Sequence, residues 1–298
     1  MRKELARKKL AVIGLGTLGS RQASLLLKCR PGELVLVDRD YVEEKNLEMQ
    51  ALYTRKDIGS AKALALAKHL KQKGTKITPV VADISHLNIS LLKSDLILDC
   101  TDNLETRFLL NEYCIKEKIP WVHASALASK GTVMPVVPGE ACFRCVIPEA
   151  RNLHGCDTSG ILPKTADLTA SLQLDAAINL LEGSREQYLL WFDIFTKQFH
   201  KLKVKKRKSC PACAGKEEYL SGKKISQATR LCGKGLYQVK GQPVSLRQAA
   251  ARLSKIMAVK RTAGCVHTKK LTLFSDGRAL VKAVDEAEAR AIYSRLLG

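Results

Sequence analysis

The chain has 298 residues, which at roughly 150 residues per domain predicts about two domains. Hydrophobic residues make up 46% and charged residues 27%, the balance of a globular protein, and this excludes extended disorder. The net charge of +21 allows a nucleic acid, a nucleotide or an acidic protein as partner without selecting among them. No apolar run approaches the roughly 20 residues that cross a bilayer. The first 20 residues are basic and then apolar like a signal peptide, but their glycines, the polar Arg21 and Gln22 and the lack of a small-residue cleavage site argue against one. We therefore expect a cytoplasmic enzyme without membrane association.

Short apolar runs alternate with helical patterns through the first part of the chain. The runs predict strands at 10–14, 33–38, 80–83, 96–100 and 121–124. The spacing of apolar residues predicts helices after Gly19, at about 60–72 and at about 103–117. Because these strands are apolar on both faces and are separated by helices, we expect a mostly parallel, Rossmann-like α/β sheet with helices on each side.

The pattern changes after Gly131. The next segments predict an exposed or antiparallel strand at TVMPVV, a long helix at about 165–183, and a hairpin of strands near 189–195 and 198–204. Beyond Gly215 a polar linker leads into a small α+β unit. In this unit Ser245 caps a helix, Asp276-Gly277 forms a hairpin turn, and a last helix follows. We expect two domains, residues 1–215 and 216–298.

A glycine motif joins the first strand to the first helix, since Gly14, Gly16 and Gly19 form G-x-G-x-x-G. Glycine lets the backbone turn tightly and approach phosphate, and a helix N-terminus supplies unpaired N–H groups with a positive partial charge. Asp38 ends the next strand, where a carboxylate can accept hydrogen bonds from ribose hydroxyls. Together these features predict a nucleotide site, although a glycine turn can also serve tight packing alone.

The loop after Asp38 argues against an NAD dehydrogenase. Its polar residues include Asp40, Asn46, Gln50 and Arg55, and the helix that follows begins at Lys62. The ammonium group of Lys62 should lie near the carboxyl end of the sheet, where a polyphosphate would bind. Arg55 and the neighbouring Lys56 can equally be solvated loop charges.

Acidic side chains follow another strand, which ends in LDCTDN. Asp99, Asp102 and Asn103 lie at its carboxyl end, and a hard oxygen atom there suits Mg²⁺ carried in by a triphosphate. A lysine together with Mg²⁺ predicts phosphoryl or adenylyl chemistry rather than hydride transfer.

Four cysteines form two C-x-x-C pairs, Cys142 with Cys145 and Cys210 with Cys213. Each pair can present two thiolates to one ion, and Zn²⁺ takes four thiolates in a closed tetrahedral site. We therefore expect a structural zinc site that ties the crossover segment to the end of the hairpin. The redox alternative needs a C-x-x-C at the start of a helix in a thioredoxin-like context, and neither pair has an obvious one.

Cys156 differs from the remaining cysteines. It lies in the irregular segment NLHGCDTSG ahead of the long helix, near Arg151, His154 and Lys164. Positive charge and a helix N-terminus lower the pKa of a thiol and raise its thiolate fraction. A role in covalent transfer and a structural role are both open for this residue.

These motifs together resemble the ThiF/MoeB/HesA family of ubiquitin-activating-type adenylyltransferases. The resemblance covers residues from about 8 to 214 and rests on the glycine motif, VDRDYVEEKNL, LDCTDN, both C-x-x-C pairs and GCDTSGILPKTADLTASLQ. The C-terminal segments LCGKGLYQV and LFSDGRALVKA resemble the extension of Bacillus-type ThiF/MoeB proteins.

The resemblance implies a reaction and a set of roles. In such enzymes the C-terminal Gly-Gly carboxylate of a ThiS/MoaD-like sulfur carrier attacks the α-phosphate of MgATP, which serves thiamine, molybdopterin or related biosynthesis. By match of motifs, Asp38 holds the ribose, Asp102 organises Mg²⁺, and Asn46 and Lys62 contact the phosphates. Cys156 matches a cysteine that takes part in acyl or persulfide transfer in some members. The resemblance also implies a homodimer.

One departure from the family pattern concerns the triphosphate. The family usually reads N-L-x-R-Q where this chain has Asn46-Leu47-Glu48-Met49-Gln50, so Met49 stands in place of an arginine. Loss of such a charge costs about 10³-fold or more in related chemistry. The candidates to compensate are Arg55, Arg107, or Arg2 and Arg7 of a second subunit. A weakly active or non-catalytic carrier-binding relative is therefore the alternative function.

The densest basic run is KLKVKKRK at residues 201–208. Most such runs are solvated surface, and the second interpretation is a face for an acidic carrier protein. Nucleic acid is less favoured, because no recognised binding motif accompanies the charge. An NAD(P) oxidoreductase is the least favoured function, since Asn46, Lys62 and Asp102 have no purpose there.

Overall fold

The computed structural model describes residues 5–71, 74–148, 160–224, 230–231 and 236–297. Its large sheet consists of β1 (Lys9–Ile13), β2 (Glu33–Asp38), β3 (Lys76–Val81), β4 (Leu96–Asp99), β5 (Trp121–Leu127), β6 (Lys130–Val136), β7 (Tyr188–Asp193) and β8 (Gln198–Lys203). The strand order is β3-β2-β1-β4-β5-β6-β7-β8. The first five strands pair in parallel and the last three extend the sheet in antiparallel fashion. The predicted Rossmann-like sheet with an antiparallel extension is therefore confirmed.

Helices cover both faces of this sheet. They are α1 (Thr17–Lys28), α2 (Lys62–His69), α3 (Leu104–Glu117), the short α4 (Phe143–Val146) and α5 (Pro163–Leu181). Leu10 and Val12 of β1 face one core with residues of α1, α2 and α5, while Ala11 and Ile13 face a second core with α3. Both faces of the strand are thus buried, as the continuous apolar run predicts. Among the described residues, no helix combines the length and apolar character that a bilayer-spanning segment requires.

A second, smaller sheet lies in the C-terminal part of the chain. It contains β9 (Arg230–Leu231), β10 (Leu236–Val239), β11 (Lys260–Thr262), β12 (Cys265–His267), β13 (Leu271–Phe274) and β14 (Ala279–Lys282), in the antiparallel order β11-β12-β13-β14-β10-β9. Two helices, α6 (Leu246–Leu253) and α7 (Glu286–Leu297), pack on it around Leu253 and Leu273. Ser245 caps α6, and Gly277 takes the positive φ of +82° in the predicted hairpin turn.

The C-terminal unit, residues 236–297, packs against the loop between β2 and α2. The backbone N of Ala61 donates to the carbonyl of Ala263 at 2.7 Å. The ring of Tyr41 meets the ring of His267 edge-on, with centroids 5.2 Å apart. The unit thus contacts the loop close to each of its ends. Residues 217–220 instead pack on α3, where Tyr219 stacks on Phe108.

Candidate functional site

A cavity of about 680 Å³ opens at the carboxyl ends of the parallel strands. This is the edge where open α/β sheets bind ligands, and the volume is in the usual range for ligand pockets. Ten residues singled out from the sequence line it: Gly14, Gly16, Asp38, Asp40, Asn46, Gln50, Lys62, Asp102, Asn103 and Arg107. Residues predicted from four separate segments of the chain are thus together in one cavity.

The three glycines of the motif have different steric roles. A Cβ atom on Gly14 would lie 2.7 Å from the carbonyl oxygen of Cys100, and φ at Gly14 is +81°. A Cβ on Gly19 would lie 1.7 Å from the carbonyl oxygen of Gly14, so Gly19 permits close packing of α1 on the turn. A Cβ on Gly16 would find its nearest atom at 3.9 Å, because that position faces the open cavity. Only Gly16 leaves room for a ligand.

This difference predicts opposite effects of two alanine substitutions. Gly19→Ala forces a methyl group into the backbone, so we expect a loss of about 2 kcal/mol in the free energy of unfolding. Gly16→Ala should change stability by less than about 1 kcal/mol but weaken ATP binding about tenfold, because its methyl group projects where phosphate would approach. Thermal unfolding and ATP titration of both variants check this, and the reverse pattern would contradict a phosphate cradle at Gly16.

Asp38 connects the glycine turn to the loop after β2. Its Oδ2 accepts a hydrogen bond from the backbone N of Leu15 at 2.6 Å, and its Oδ1 accepts one from the backbone N of Asp40 at 2.6 Å. Burial raises the pKa of Asp38 above that of an ordinary aspartate, against the opposing charge of Lys62. Each carboxylate oxygen has a second lone pair, so both can still accept a ribose hydroxyl.

Lys62 provides a cation inside the cavity. It is the first residue of α2 and is buried, with Nζ 3.9 Å from Oδ2 of Asp40. Gln50 is also buried in the cavity wall, and its Oε1 has no hydrogen-bond partner among the described residues. The loop therefore brings a fixed positive charge and an amide to the same space, a combination that suits an anionic, oxygen-rich ligand.

The acidic residues after β4 divide into two groups. Asp102 is exposed and lines the cavity at the carboxyl end of β4. Asp99 is fully buried, with Oδ2 2.8 Å from Nδ1 of His123 and Oδ1 accepting from Thr101. Burial favours its neutral form, but His123 and the charge of Arg107 outweigh burial and lower the pKa of Asp99. Asn103 caps α3 by accepting from the backbone N of Thr106. Asp102 is thus the carboxylate of this group that faces the cavity.

Met49 stands where the family pattern has an arginine, so this position supplies no guanidinium group to the cavity. Met49 is 37% exposed, and its backbone carbonyl accepts a hydrogen bond from Nη1 of Arg21 at 2.8 Å. Of the two candidates within this chain, Arg107 lines the cavity and Arg55 does not. The guanidinium group of Arg107 is only partly available to replace the missing arginine, because its Nε lies 3.4 Å from Oδ2 of Asp99.

The sequence analysis missed a second arginine in the cavity wall. Arg39 lines the cavity next to Asp38, and its Nη1 donates to Oδ1 of Asp83 at 3.3 Å. The carboxylates of Asp40 and Asp83 raise the pKa of Arg39 in spite of its burial, and Asp102 adds to the effect. The signal available in the sequence was an arginine directly after Asp38, the aspartate predicted to bind a ribose.

The four cysteines of the C-x-x-C pairs form one cluster. The Sγ atoms of Cys142 and Cys210 are 3.5 Å apart, those of Cys145 and Cys213 are 3.5 Å apart, and all four lie within 4.8 Å of one another. Thiolates at the corners of a tetrahedron around Zn²⁺ would be about 3.8 Å apart, given Zn–S bonds of about 2.3 Å. The cluster therefore has the ligand type and spacing for a closed zinc site. The predicted site residue Cys156 lies outside the described residues, and its role stays a prediction.

This chain is similar to known proteins over most of its length. A model described as ThiF family matches residues 1–212. The sulfur carrier protein ThiS adenylyltransferase of Bacillus subtilis is 32% identical over 99% of this chain and 94% of its own length. The protein of the same name from Escherichia coli is 32% identical over 71% of this chain and 88% of its own length. The Bacillus relative thus also aligns with the C-terminal unit.

Two further similarities extend the comparison. The SAMP-activating enzyme E1 of Haloferax volcanii is 32% identical over 70% of this chain and 81% of its own length. A crystal structure of Escherichia coli MccB with ATP superimposes with a TM-score of 0.62 at 18% identity, covering 71% of this chain and 68% of that one. At that identity the MccB similarity concerns the fold alone.

Proposed function

The chain belongs to the ThiF family, and we propose that it is an adenylyltransferase that activates the C-terminal Gly-Gly carboxylate of a ubiquitin-fold sulfur carrier protein with MgATP. The observation that carries this proposal is the single cavity lined by Gly16, Asp38, Lys62 and Asp102. The relatives named as activators of ThiS and SAMP support the carrier class.

In the proposed reaction a carboxylate oxygen of the carrier attacks the α-phosphorus of ATP. The bond between that phosphorus and the bridging oxygen to the β-phosphate breaks, and pyrophosphate leaves with the electron pair. The product is an acyl-adenylate on the carrier. The step needs no proton transfer and no covalent nucleophile from the enzyme, so the protein contributes positioning and charge neutralisation.

Each cavity residue fits one part of that task. The backbone at Gly16 and the N-terminus of α1 would bind phosphate, Asp38 would accept the ribose hydroxyls, and Lys62 and Asn46 would contact phosphate oxygens. Asp102 offers the exposed, hard carboxylate oxygen that Mg²⁺ prefers, so it would hold the ion that accompanies the triphosphate. When bound, Mg²⁺ would neutralise phosphate charge.

The far end of the cavity suits a slender peptide. It is lined at the end of β5 by Ala124, Ser125 and Ala126, whose side chains are small. We propose that the glycine tail of the carrier enters there. An NAD(P) oxidoreductase is disfavoured, because a buried lysine and an exposed aspartate beside the glycine turn serve no purpose in hydride transfer.

Further properties belong to the same proposal. The four-cysteine cluster would hold a structural Zn²⁺, and the protein would act as a homodimer with its domain boundary near residue 215. The pathway, whether for thiamine, molybdopterin or another sulfur compound, would follow from the carrier. Cys156 would be the candidate for any covalent transfer that follows adenylylation.

Isotope exchange between ATP and pyrophosphate tests the proposal. With a ThiS-like or MoaD-like carrier we expect exchange that depends on ATP, Mg²⁺ and the carrier together. Exchange should fall to background when the two terminal glycines of the carrier are deleted, because the reacting carboxylate then no longer reaches the cavity.

The alternative is a carrier-binding relative with little or no catalysis, which Met49 in place of arginine favours. Carrier binding measured by calorimetry separates the two functions. Binding without exchange for any Gly-Gly carrier would support the non-catalytic relative, whereas exchange without a carrier would contradict both.

A further inference from the structure

The C-terminal unit reaches the nucleotide cavity through a chain of polar side chains. Gln238 of β10 donates from Nε2 to Oδ2 of Asp83 at 2.6 Å, and Lys240 lies 3.8 Å from the same oxygen. The other oxygen of Asp83 accepts from Arg39. Asp83 therefore joins a residue of the C-terminal sheet to a guanidinium group in the cavity wall.

A second contact fixes the backbone of the same arginine. Arg278 of the C-terminal unit is 2% exposed, and its Nη2 donates to the carbonyl oxygen of Arg39. Its guanidinium lies 3.9 Å from the centroid of the Phe274 ring, and its Nη1 donates to Gln238 at 3.4 Å. The carbonyl that Arg278 holds belongs to the peptide between Arg39 and Asp40. The C-terminal unit therefore fixes the backbone of Arg39 directly and its guanidinium group through Asp83.

The position of Arg39 along the cavity indicates which part of a nucleotide it would meet. Phosphate belongs at the glycine turn after β1, and ribose belongs at Asp38, at the end of the neighbouring β2. Continuing outward along the sheet edge, the next wall is the end of β3, lined by Ala82, Asp83 and Ile84. Arg39 lies against this wall through its hydrogen bond to Asp83, beyond the ribose position at Asp38.

We infer that Arg39 contacts the nucleobase of the bound nucleotide and that the C-terminal unit positions it, through Gln238 on Asp83 and through Arg278 on the Arg39 carbonyl. A planar guanidinium can stack flat on the face of a purine, a geometry that the compact ammonium group of lysine does not provide. This inference rests on the proposed function, because it needs an adenine nucleotide in the cavity. It gives the C-terminal unit a part in nucleotide binding.

Probes that contain different parts of ATP test the base contact. We expect Arg39→Ala in the full chain to weaken the binding of both AMP and ATP by about tenfold in calorimetric titrations. Inorganic pyrophosphate should bind as it does to the unsubstituted protein. Arg39→Lys should resemble Arg39→Ala, and Arg247→Ala, on the exposed surface of α6, is the matched control that should change nothing.

Two results would overturn the base contact. The first is a loss confined to ATP and pyrophosphate with AMP unchanged, which would place Arg39 on the phosphates. The second is no change for any probe. If the unsubstituted protein binds no adenine nucleotide, the proposed function itself fails, whereas normal ATP binding and exchange in Arg39→Ala would remove only this inference.

A double-mutant cycle tests the positioning by the C-terminal unit. Gln238→Ala should weaken AMP binding about threefold. The double variant with Arg39→Ala should bind AMP no more weakly than Arg39→Ala alone, because both residues act through one contact. The KM for ATP should rise in each variant with kcat little changed. Two results would show that the C-terminal unit does not act through Arg39. The first is a double variant whose loss of AMP affinity is the product of the two single losses. The second is a thermally stable Gln238→Ala variant with unchanged AMP binding.

Discussion

Asp102→Asn should lower carrier-dependent exchange between ATP and pyrophosphate by about 10³-fold, while the midpoint of thermal unfolding stays within about 2 °C. Asparagine keeps the shape of the side chain but removes the charge that would hold Mg²⁺ beside the phosphates. Because Asp102 is exposed at the cavity wall, its replacement should cost little stability. The remaining exchange should require a higher Mg²⁺ concentration for half-maximal rate.

The matched control for this variant lies at the other end of the same strand, β4. Asp95 precedes β4 at the opposite edge of the sheet, where its Oδ2 accepts from the backbone N of Lys9. Asp95→Asn removes one negative charge from the same segment, so it reports any effect of net charge alone, and exchange should be unchanged. Exchange within tenfold of the unsubstituted protein in Asp102→Asn would contradict the proposed role of Asp102.

Much of the cavity was predictable because one geometric rule connects it. The carboxyl ends of parallel strands meet at one edge, so Gly14, Asp38 and Asp102, each just after a buried apolar run, must lie near one another. Lys62 follows the same rule as the first residue of a helix that returns to this edge. The apolar patterns that predict the strands therefore also predict where these residues lie.

Arg39 was not predictable from the same pattern. Its orientation depends on Asp83, and Asp83 depends on Gln238, which lies 155 positions further along the chain. Asp99 shows a related limit. Sequence alone grouped it with Asp102, but strand alternation directs its side chain into the core beside His123.

The β3 edge of the large sheet and the short strands of the small sheet were the weakest part of the sequence prediction. β3 spans Lys76–Val81 rather than the expected 80–83, because it is a half-buried edge strand containing Thr78 and Pro79 and has no continuous apolar run. In the C-terminal unit, β10, β11 and β12 were not predicted at all. They have four residues or fewer, and pairing with neighbouring strands stabilises them more than any local pattern does.

The four-cysteine cluster predicts a large stability effect that is separate from catalysis. Cys142 and Cys145 flank the start of α4 after β6, while Cys210 and Cys213 follow β8, so one ion would join two segments that are distant in sequence. The backbone N of Phe143 donates to the buried Asn111 of α3 at 2.9 Å, which anchors the first pair to the core. Metal removal should therefore loosen the antiparallel end of the sheet and leave the cavity at the carboxyl ends of the parallel strands folded.

We expect Cys145→Ser to abolish zinc binding and to lower the midpoint of thermal unfolding by about 10 °C. Serine is close to cysteine in size, so a loss beyond about 1 kcal/mol would come from the metal, and each kcal/mol shifts the midpoint by about 2–4 °C in a domain of this size. A chelator should lower the midpoint of the unsubstituted protein by a similar amount and leave Cys145→Ser unchanged.

The matched control is Cys29→Ser, at a half-buried cysteine outside the cluster, which should retain one zinc per chain and its unfolding midpoint. Zinc content by mass spectrometry and scanning calorimetry provide the two measurements. Exchange activity of Cys145→Ser should persist below its lowered midpoint, because a closed four-thiolate site has no open position for substrate. Loss of activity while the fold remains intact would indicate a catalytic metal. A purified chain that contains no zinc and whose unfolding midpoint does not change with the chelator would contradict the metal site.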